Sequence, residues 1–140
     1  MSIHVEKIAT QEVLELAWEI RKKVFVEEQE VDQSLEWEHE EVSTHFLALM
    51  DGKPVGTARW RDTGKGIKLE RFAVLKEFRN QKVGEALLKA VLNDAPKEQR
   101  IYLHAQLQAE PFYARNGFKP IGEVFYEAGI GHHLMEYANS

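Results

Sequence analysis

Arg79, Gln81, Lys82 and Gly84 fall within six residues, behind the strand-like run Leu69-Glu70-Arg71-Phe72-Ala73-Val74 and ahead of an apolar helical stripe. A strand that passes through a short loop into a helix presents the first N–H groups of that helix. Those groups lack partners inside the helix and sit at the positive end of its dipole. Such a place seats a phosphate. Gly84 lets a ligand approach the backbone closely, while Arg79 and Lys82 supply positive charge. Taken alone, the same residues also fit an ordinary basic helix start with a packing glycine.

The elements that must position this loop follow from pattern. Ile3 to Ile8 alternates as a short strand. After Thr10, an expected N-cap, Val13, Ala17, Ile20 and Val24 recur at helical spacing. Glu27 to Glu41 is acidic and irregular, with room for a second short helix. Thr44 to Met50 and Pro54 to Arg61 read as strands around the hairpin dipeptide Asp51-Gly52. Gly64 and Gly66 mark the next turn, before a strand from Lys68 to Val74. Val83, Leu87, Leu88, Val91 and Leu92 form one helical stripe, closed by Asp94-Ala95-Pro96. Ile101 to Ala105 is a strand. Gln108 to Asn116 is a short helix with Pro111 in its first turn and Gly117 after its end. Strand-like segments at Glu123 to Tyr126 and His132 to Tyr137 complete an α+β layout. No repeat or long linker appears, so one domain over residues 1–140 is expected.

Arg79 through Gly84 resembles the acetyl-CoA signature of the GNAT superfamily of N-acetyltransferases, R/Q-x-x-G-x-G/A after a strand. Arg79 takes the first position and Gly84 the last, while Lys82 replaces the middle glycine. A second segment, Gln106-Leu107-Gln108-Ala109-Glu110-Pro111-Phe112-Tyr113-Ala114-Arg115-Asn116-Gly117-Phe118, is similar to the family's N-x-x-A-x-x-x-Y-x-x-x-G-F, with Gln106 for the usual Asn. The order and separation also agree. Arg21 to Gln29 and Ala128-Gly129-Ile130-Gly131-His132 resemble the small ElaA/YjcF-like bacterial branch, so the likeness spans nearly the whole chain.

The resemblance implies a mixed, mainly antiparallel central sheet flanked by helices, with two strands splayed at an acyl-CoA site. It implies an enzyme, an N-acetyltransferase using acetyl-CoA as co-substrate and no metal. The pantetheine arm would lie between the strands corresponding to Leu69–Val74 and Ile101–Ala105, hydrogen-bonding to backbone as an added strand does. The main chain of Phe72 and Val74 would meet the arm and the thioester carbonyl. The diphosphate would rest on the amides of Gln81, Lys82, Val83 and Gly84, with Arg79 flanking it; Ala73, Asn80, Glu85 and Ala86 would also belong to the coenzyme site. A lysine amide at position 82 can still donate, provided that the site accepts a Cβ and a negative φ. Gln106 would reach the pantetheine amide, and Phe112 would line the same site.

Attack by a neutral amine expels a thiolate, and Tyr113 is the matching position for an acid beside the sulfur. A phenol with an ordinary pKa of about 10 stays protonated at neutral pH and can donate. Its alternative is packing with Phe112 and Phe118. Glu70, two residues before Phe72 and so expected on its face, is the candidate base for the acceptor ammonium. Its alternative is a salt bridge with Lys68 or Arg71. His45 and His104 are lesser candidates for the base. The acidic run Glu27, Glu28, Glu30, Asp32, Glu36, Glu38, Glu40 and Glu41 sits where such proteins build the acceptor floor. It would attract a cationic amine, a small molecule or a peptide; the alternative is a solvated helix face.

Composition narrows the remaining classes. The chain has no cysteine, which removes disulfides, thiolate nucleophiles and cysteine metal sites and fits a cytoplasmic location. A net charge of −5 argues against general nucleic-acid binding. Apolar runs are too short for a membrane span, and the first residues lack the basic and apolar regions of a secretory signal. His39-Glu40-Glu41 lacks the second histidine of a zinc protease at Ser43, and His132-His133 points to opposite strand faces. Gly64-Lys65-Gly66 precedes a strand and fails the dinucleotide fingerprint. A non-catalytic CoA-binding module is the rival reading. Oligomeric state is open, a homodimer included.

Overall fold

Thr10 opens the first helix as expected: its extended backbone stands before α1 (Gln11–Arg21), and its Oγ1 accepts the Val13 N–H at 3.3 Å. Ala17 and Ile20 are buried on the inner face of α1. The chain then widens into a π-helical stretch, Lys22–Glu28, in which the Gln29 amide bonds the Val24 carbonyl at 3.0 Å. π-turns are rare and often mark functional places. Here the stretch buries Val24 and Phe25, which join Ala17, Ile20, Leu47 and Ala73 in one apolar cluster.

The computed structural model describes residues 2–30 and 39–138. These residues form two compact units. One joins the chain through Arg61 to Arg71–Ala95; the other joins Asp62–Glu70 to the chain from Pro96 onward.

In the first unit β1 (Ile3–Lys7), β2 (Ser43–Met50) and β3 (Lys53–Asp62) run antiparallel, with Val5 opposite Ala48 and Leu47 opposite Thr57. Asp51 and Gly52 both take positive φ, 49° and 85°, the geometry that a tight hairpin demands. α2 (Val83–Asp94) buries Val83, Leu87, Leu88 and Val91, the stripe that the sequence predicts. Its seat requires a glycine on β3. A Cβ at Gly56 would come within 3.0 Å of Leu87 Cδ1 and 3.1 Å of both Val83 Cγ1 and the Ala73 carbonyl.

β4 (Ile67–Val74) begins in the second unit and ends in the first. In the second unit its first residues pair parallel with β5 (Ile101–Gln106), through Ile67↔Ile101, Lys68↔Tyr102 and Leu69↔Leu103. β5 pairs antiparallel with β7 (Ile130–Tyr137), and β7 with β6 (Phe118–Glu127). A short helix, α3 (Glu110–Arg115), carries Pro111 in its first turn. Gly117 follows with φ of 96°, where a Cβ would come within 3.0 Å of the Tyr137 ring. β6 is longer than the expected Glu123 to Tyr126. It starts at Phe118, tolerates Pro120, and shifts register between Ile121 and Phe125 around Gly122, whose φ is 77°. A turn-like composition thus sits inside a strand as a bulge. The architecture is α+β with mainly antiparallel strands.

Candidate active site

Arg71 is the first irregularity. Its φ of 58° interrupts β4 in its middle, and its guanidinium lies 5.8 Å from the centre of the Phe25 ring. A left-handed residue inside a strand re-aims the peptide that follows, here that of Phe72. Strict alternation is broken at this point, so the two-residue spacing from Glu70 to Phe72 does not place them on one face. Beyond it Ala73 is buried in the apolar cluster, and the Leu75 amide ties the strand's end to the Val55 carbonyl at 2.9 Å.

The loop from Val74 to α2 is fastened by Arg79. Its Nε donates to the Val74 carbonyl at 2.9 Å, and its two terminal nitrogens donate to both oxygens of Glu28 at 2.7 Å each. That hydrogen bond, with the nearby charges of Arg79 and Lys76, holds the Glu28 carboxyl below its ordinary range against the effect of burial. The guanidinium expected to flank a diphosphate is therefore engaged by a carboxylate 51 residues away in sequence. The side chain of Gln81 donates to the Glu77 carbonyl at 3.2 Å.

Asn80 and Lys82 both take left-handed conformations, with φ of 64° and 69°. The condition of a negative φ at Lys82 is not met: the lysine takes the left-handed conformation instead. Holding a residue with a Cβ there costs roughly 1–2 kcal/mol. Left-handed residues beside right-handed or extended ones turn successive N–H groups toward one point and form an anion-binding concavity. α2 begins directly after, and no side chain of Lys82 caps it. The amides of Val83 and Gly84 head the helix, while the Ala86 amide already bonds the Lys82 carbonyl at 3.1 Å. Glu85 reaches along the helix to Lys89 at 3.1 Å. At this helix start the Ala86 amide is therefore already engaged within the helix.

The second unit holds the other expected residues. Glu70 pairs with Lys68 at 3.3 Å, both side chains largely buried. Gln106 ends β5, and its Oε1 accepts from Gln108 Nε2 at 2.8 Å. Tyr113 is 8% exposed, with its ring edge-on to Phe112 and Phe118 at centroid distances of 5.1 and 5.9 Å. Burial pushes the phenol well above its ordinary value, so it is protonated throughout the physiological range.

Among the described residues of the acidic run, two are engaged by arginines. Glu40 is bound by Trp18 Nε1 at 2.6 Å, by Arg21 at 2.9 Å and by Arg59, two arginines that are each 1% exposed. Glu28 holds Arg79. Glu27, Glu30 and Glu41 are exposed, and Asp32, Glu36 and Glu38 lie outside the described residues. Among the described residues no three His, Asp or Glu side chains gather to hold a metal ion. His133 bonds Glu110 and the Gly122 carbonyl.

An α+β frame in which a kinked strand leads through a short loop into a helix is consistent with an acyltransferase of the acyl-CoA-using class, and the likeness to known proteins establishes that class. Residues 5–139 match the family described as Acetyltransferase (GNAT) domain, and the chain belongs to that family. It is 39% identical over 129 residues to the N-acetyltransferase YjcF of Bacillus subtilis (strain 168), covering 89% of this chain and 92% of that protein. The crystal structure of Escherichia coli ElaA superposes with a TM-score of 0.82 at 23% identity, over 96% of this chain and 99% of that one. PaiA N-acetyltransferase from Thermoplasma acidophilum, solved in complex with coenzyme A, gives a TM-score of 0.67 at 19% identity, over 99% of this chain and all (100%) of its own. The family and the bacterial ElaA/YjcF-like branch agree with the resemblance read from the sequence.

Proposed function

We propose that the chain transfers the acetyl group of acetyl-CoA to a primary amine by direct attack, the amine belonging to a small molecule or a peptide. The observation that carries this reading is the pair of left-handed residues, Asn80 and Lys82, leading into the uncapped head of α2. We assign the diphosphate to the amides from Gln81 to Gly84, with Lys82 adding charge. Arg79 serves this seat indirectly, by tying the loop to Glu28 and Val74. The family supports the use of an acyl-CoA, and the PaiA neighbour was itself solved with coenzyme A. β5 continues past its last pair with β4 at Leu103 to Gln106. Its edge there, with Gln106, is assigned to the pantetheine amides, and the main chain of Phe72 to Val74 to the thioester carbonyl. An amide aimed at that oxygen would stabilise the tetrahedral oxyanion.

Tyr113 is assigned to the leaving group. Its raised pKa keeps it protonated but makes it a weaker acid than the thiol it serves. Its proton moves to sulfur only as the acetylated nitrogen returns one to the phenol. Tyr113→Phe is expected to lower kcat by about tenfold or more while leaving the acetyl-CoA Kd unchanged. Equal turnover by the mutant would remove the assignment.

Two measurements test the reading as a whole. Acetyl-CoA and CoA should raise Tm, since a ligand held at about 100 times its Kd stabilises the native state by roughly 2.7 kcal/mol. ATP, which lacks the pantetheine arm, should do less. Thiol release across an amine panel then separates an enzyme from a CoA-binding module, and the chain contributes no thiol of its own. Arg79→Ala is expected to raise the Kd for acetyl-CoA, and Glu28→Ala to do the same, because both release the loop. An unchanged Kd in both variants would show that the clasp has no part in binding.

A further inference from the structure

Resting on the acyl-transfer reading above, we propose that His104 Nε2 is the base that takes the proton of the attacking ammonium, with Glu127 as its positioning residue. Lys68 pairs with Tyr102 across the parallel ladder, so Glu70 and His104, each two residues further on, stand level on one face of the second unit. The ladder's last pair, Leu69↔Leu103, lies directly before them. His104 therefore stands at the first β5 position beyond the paired ladder.

The imidazole is held for this work. Its Nδ1 lies 3.0 Å from Glu127 Oε2 on β6. The His104 hydrogen bond, and then the charges of His104, Lys68 and His132, hold the Glu127 carboxyl below its ordinary range against burial. An ionised carboxylate only accepts, so Nδ1 is the nitrogen that donates to Glu127, and Nε2 is the ring atom left to exchange a proton with the amine. Phe125 of β6 meets the His104 ring edge-on at 4.9 Å, and Tyr102 stands at 6.0 Å on the other side. His132 of β7 completes the group: its Nδ1 donates to the Ile130 carbonyl at 2.7 Å, and its Nε2 is 3.8 Å from Glu127 Oε1. Glu70 faces the same region from β4, engaged by Lys68. Its carboxylate is suited to hold the ammonium while His104 removes its proton.

The step balances. The ammonium gives one proton to Nε2, and the freed lone pair forms the C–N bond to the acetyl carbon. The C–S bond breaks as sulfur takes the Tyr113 proton, and the acylated nitrogen returns its second proton to that phenol. His104 releases its proton to water. The products are the amide, CoA thiol and one proton.

The test follows thiol release from acetyl-CoA with ethylamine, an ammonium ion at neutral pH, and with hydroxylamine, a weaker base already neutral there. His104→Gln should lower the ethylamine rate on the order of a hundredfold. It should leave the hydroxylamine rate, the acetyl-CoA Kd and the Tm near wild type, and flatten the acid limb of the pH–rate profile. Glu127→Gln should give the same selective loss in smaller measure. Wild-type rates with both amines in His104→Gln would overturn the assignment, as would parallel losses with both. Acetyl-CoA binding by the wild type with no thiol release from either amine would overturn it too, while leaving the coenzyme site standing. Failure of the wild type to bind acetyl-CoA would overturn the reading beneath it.

Discussion

Glu40→Ala is expected to destabilise the protein by about 3–5 kcal/mol, because it removes the carboxylate shared by two buried arginines. Arg21 and Arg59 are almost fully buried, and both donate to Glu40, as does the Trp18 indole. A guanidinium cannot shed its proton to escape desolvation, so the charges stay. For a chain of this length the loss corresponds to a fall in Tm of roughly 10–20 °C. Glu40→Gln keeps an acceptor oxygen and loses the charge, so it should fall between. Thermal or denaturant unfolding of the two variants checks the order. A Glu40→Ala protein as stable as wild type would mean that the arginines are satisfied without it.

The same group sets an acid limit. Burial alone would push the Glu40 carboxyl up; the Arg21 hydrogen bond and charge, the Trp18 indole and His45 outweigh it and hold it below its ordinary value. A depressed carboxyl contributes stability that is present above its unfolded pKa and is lost as pH falls through the folded one. His45, whose Nε2 meets the Glu40 carbonyl at 3.1 Å, is pushed down by burial, so the unfolded chain takes up this proton first. Its contribution also declines with acidity, beginning at the ordinary imidazole value and ahead of that of Glu40. Stability should therefore fall in two stages on acidification. The lower stage should be missing from Glu40→Ala.

These features mark where sequence reading reaches and where it stops. The stripe Val83, Leu87, Leu88 and Val91, the Thr10 cap and the Asp51-Gly52 turn were legible because each is a local pattern with a local cause. The conformation of Lys82 was not: a lysine at positive φ is disfavoured by its own chemistry and is imposed by the loop around it. Glu28 with Arg79, Glu40 with Arg21 and Arg59, and His104 with Glu127 join residues far apart in sequence. Read as a string, Glu27 to Glu41 is one charged stretch that suggests an acceptor floor. In the fold Glu28 and Glu40 are the partners of arginines on other elements. Composition carries the charge, and topology decides what the charge meets.

Gly84→Glu separates the coenzyme seat from the fold more cleanly than removal of any cation, and it is expected to abolish measurable acetyl-CoA binding at concentrations that saturate the wild type. Gly84 is the second residue of α2, where an acidic side chain favours the helix through its dipole by about 0.3–1 kcal/mol. Replacing glycine in a helix adds roughly 0.5–1 kcal/mol in the same direction. The unliganded Tm should thus hold or rise. For a diphosphate the same carboxylate is a like charge placed at the helix head, where it competes for the amides of Val83 and Gly84. Gly84→Ala supplies the intermediate case, adding a Cβ without charge. Expected affinities fall in the order glycine, alanine, glutamate, while unliganded stability does not fall with them. If instead Gly84→Glu binds acetyl-CoA as the wild type does, the diphosphate lies elsewhere, and the roles assigned from Gln81 to Gly84 go with it.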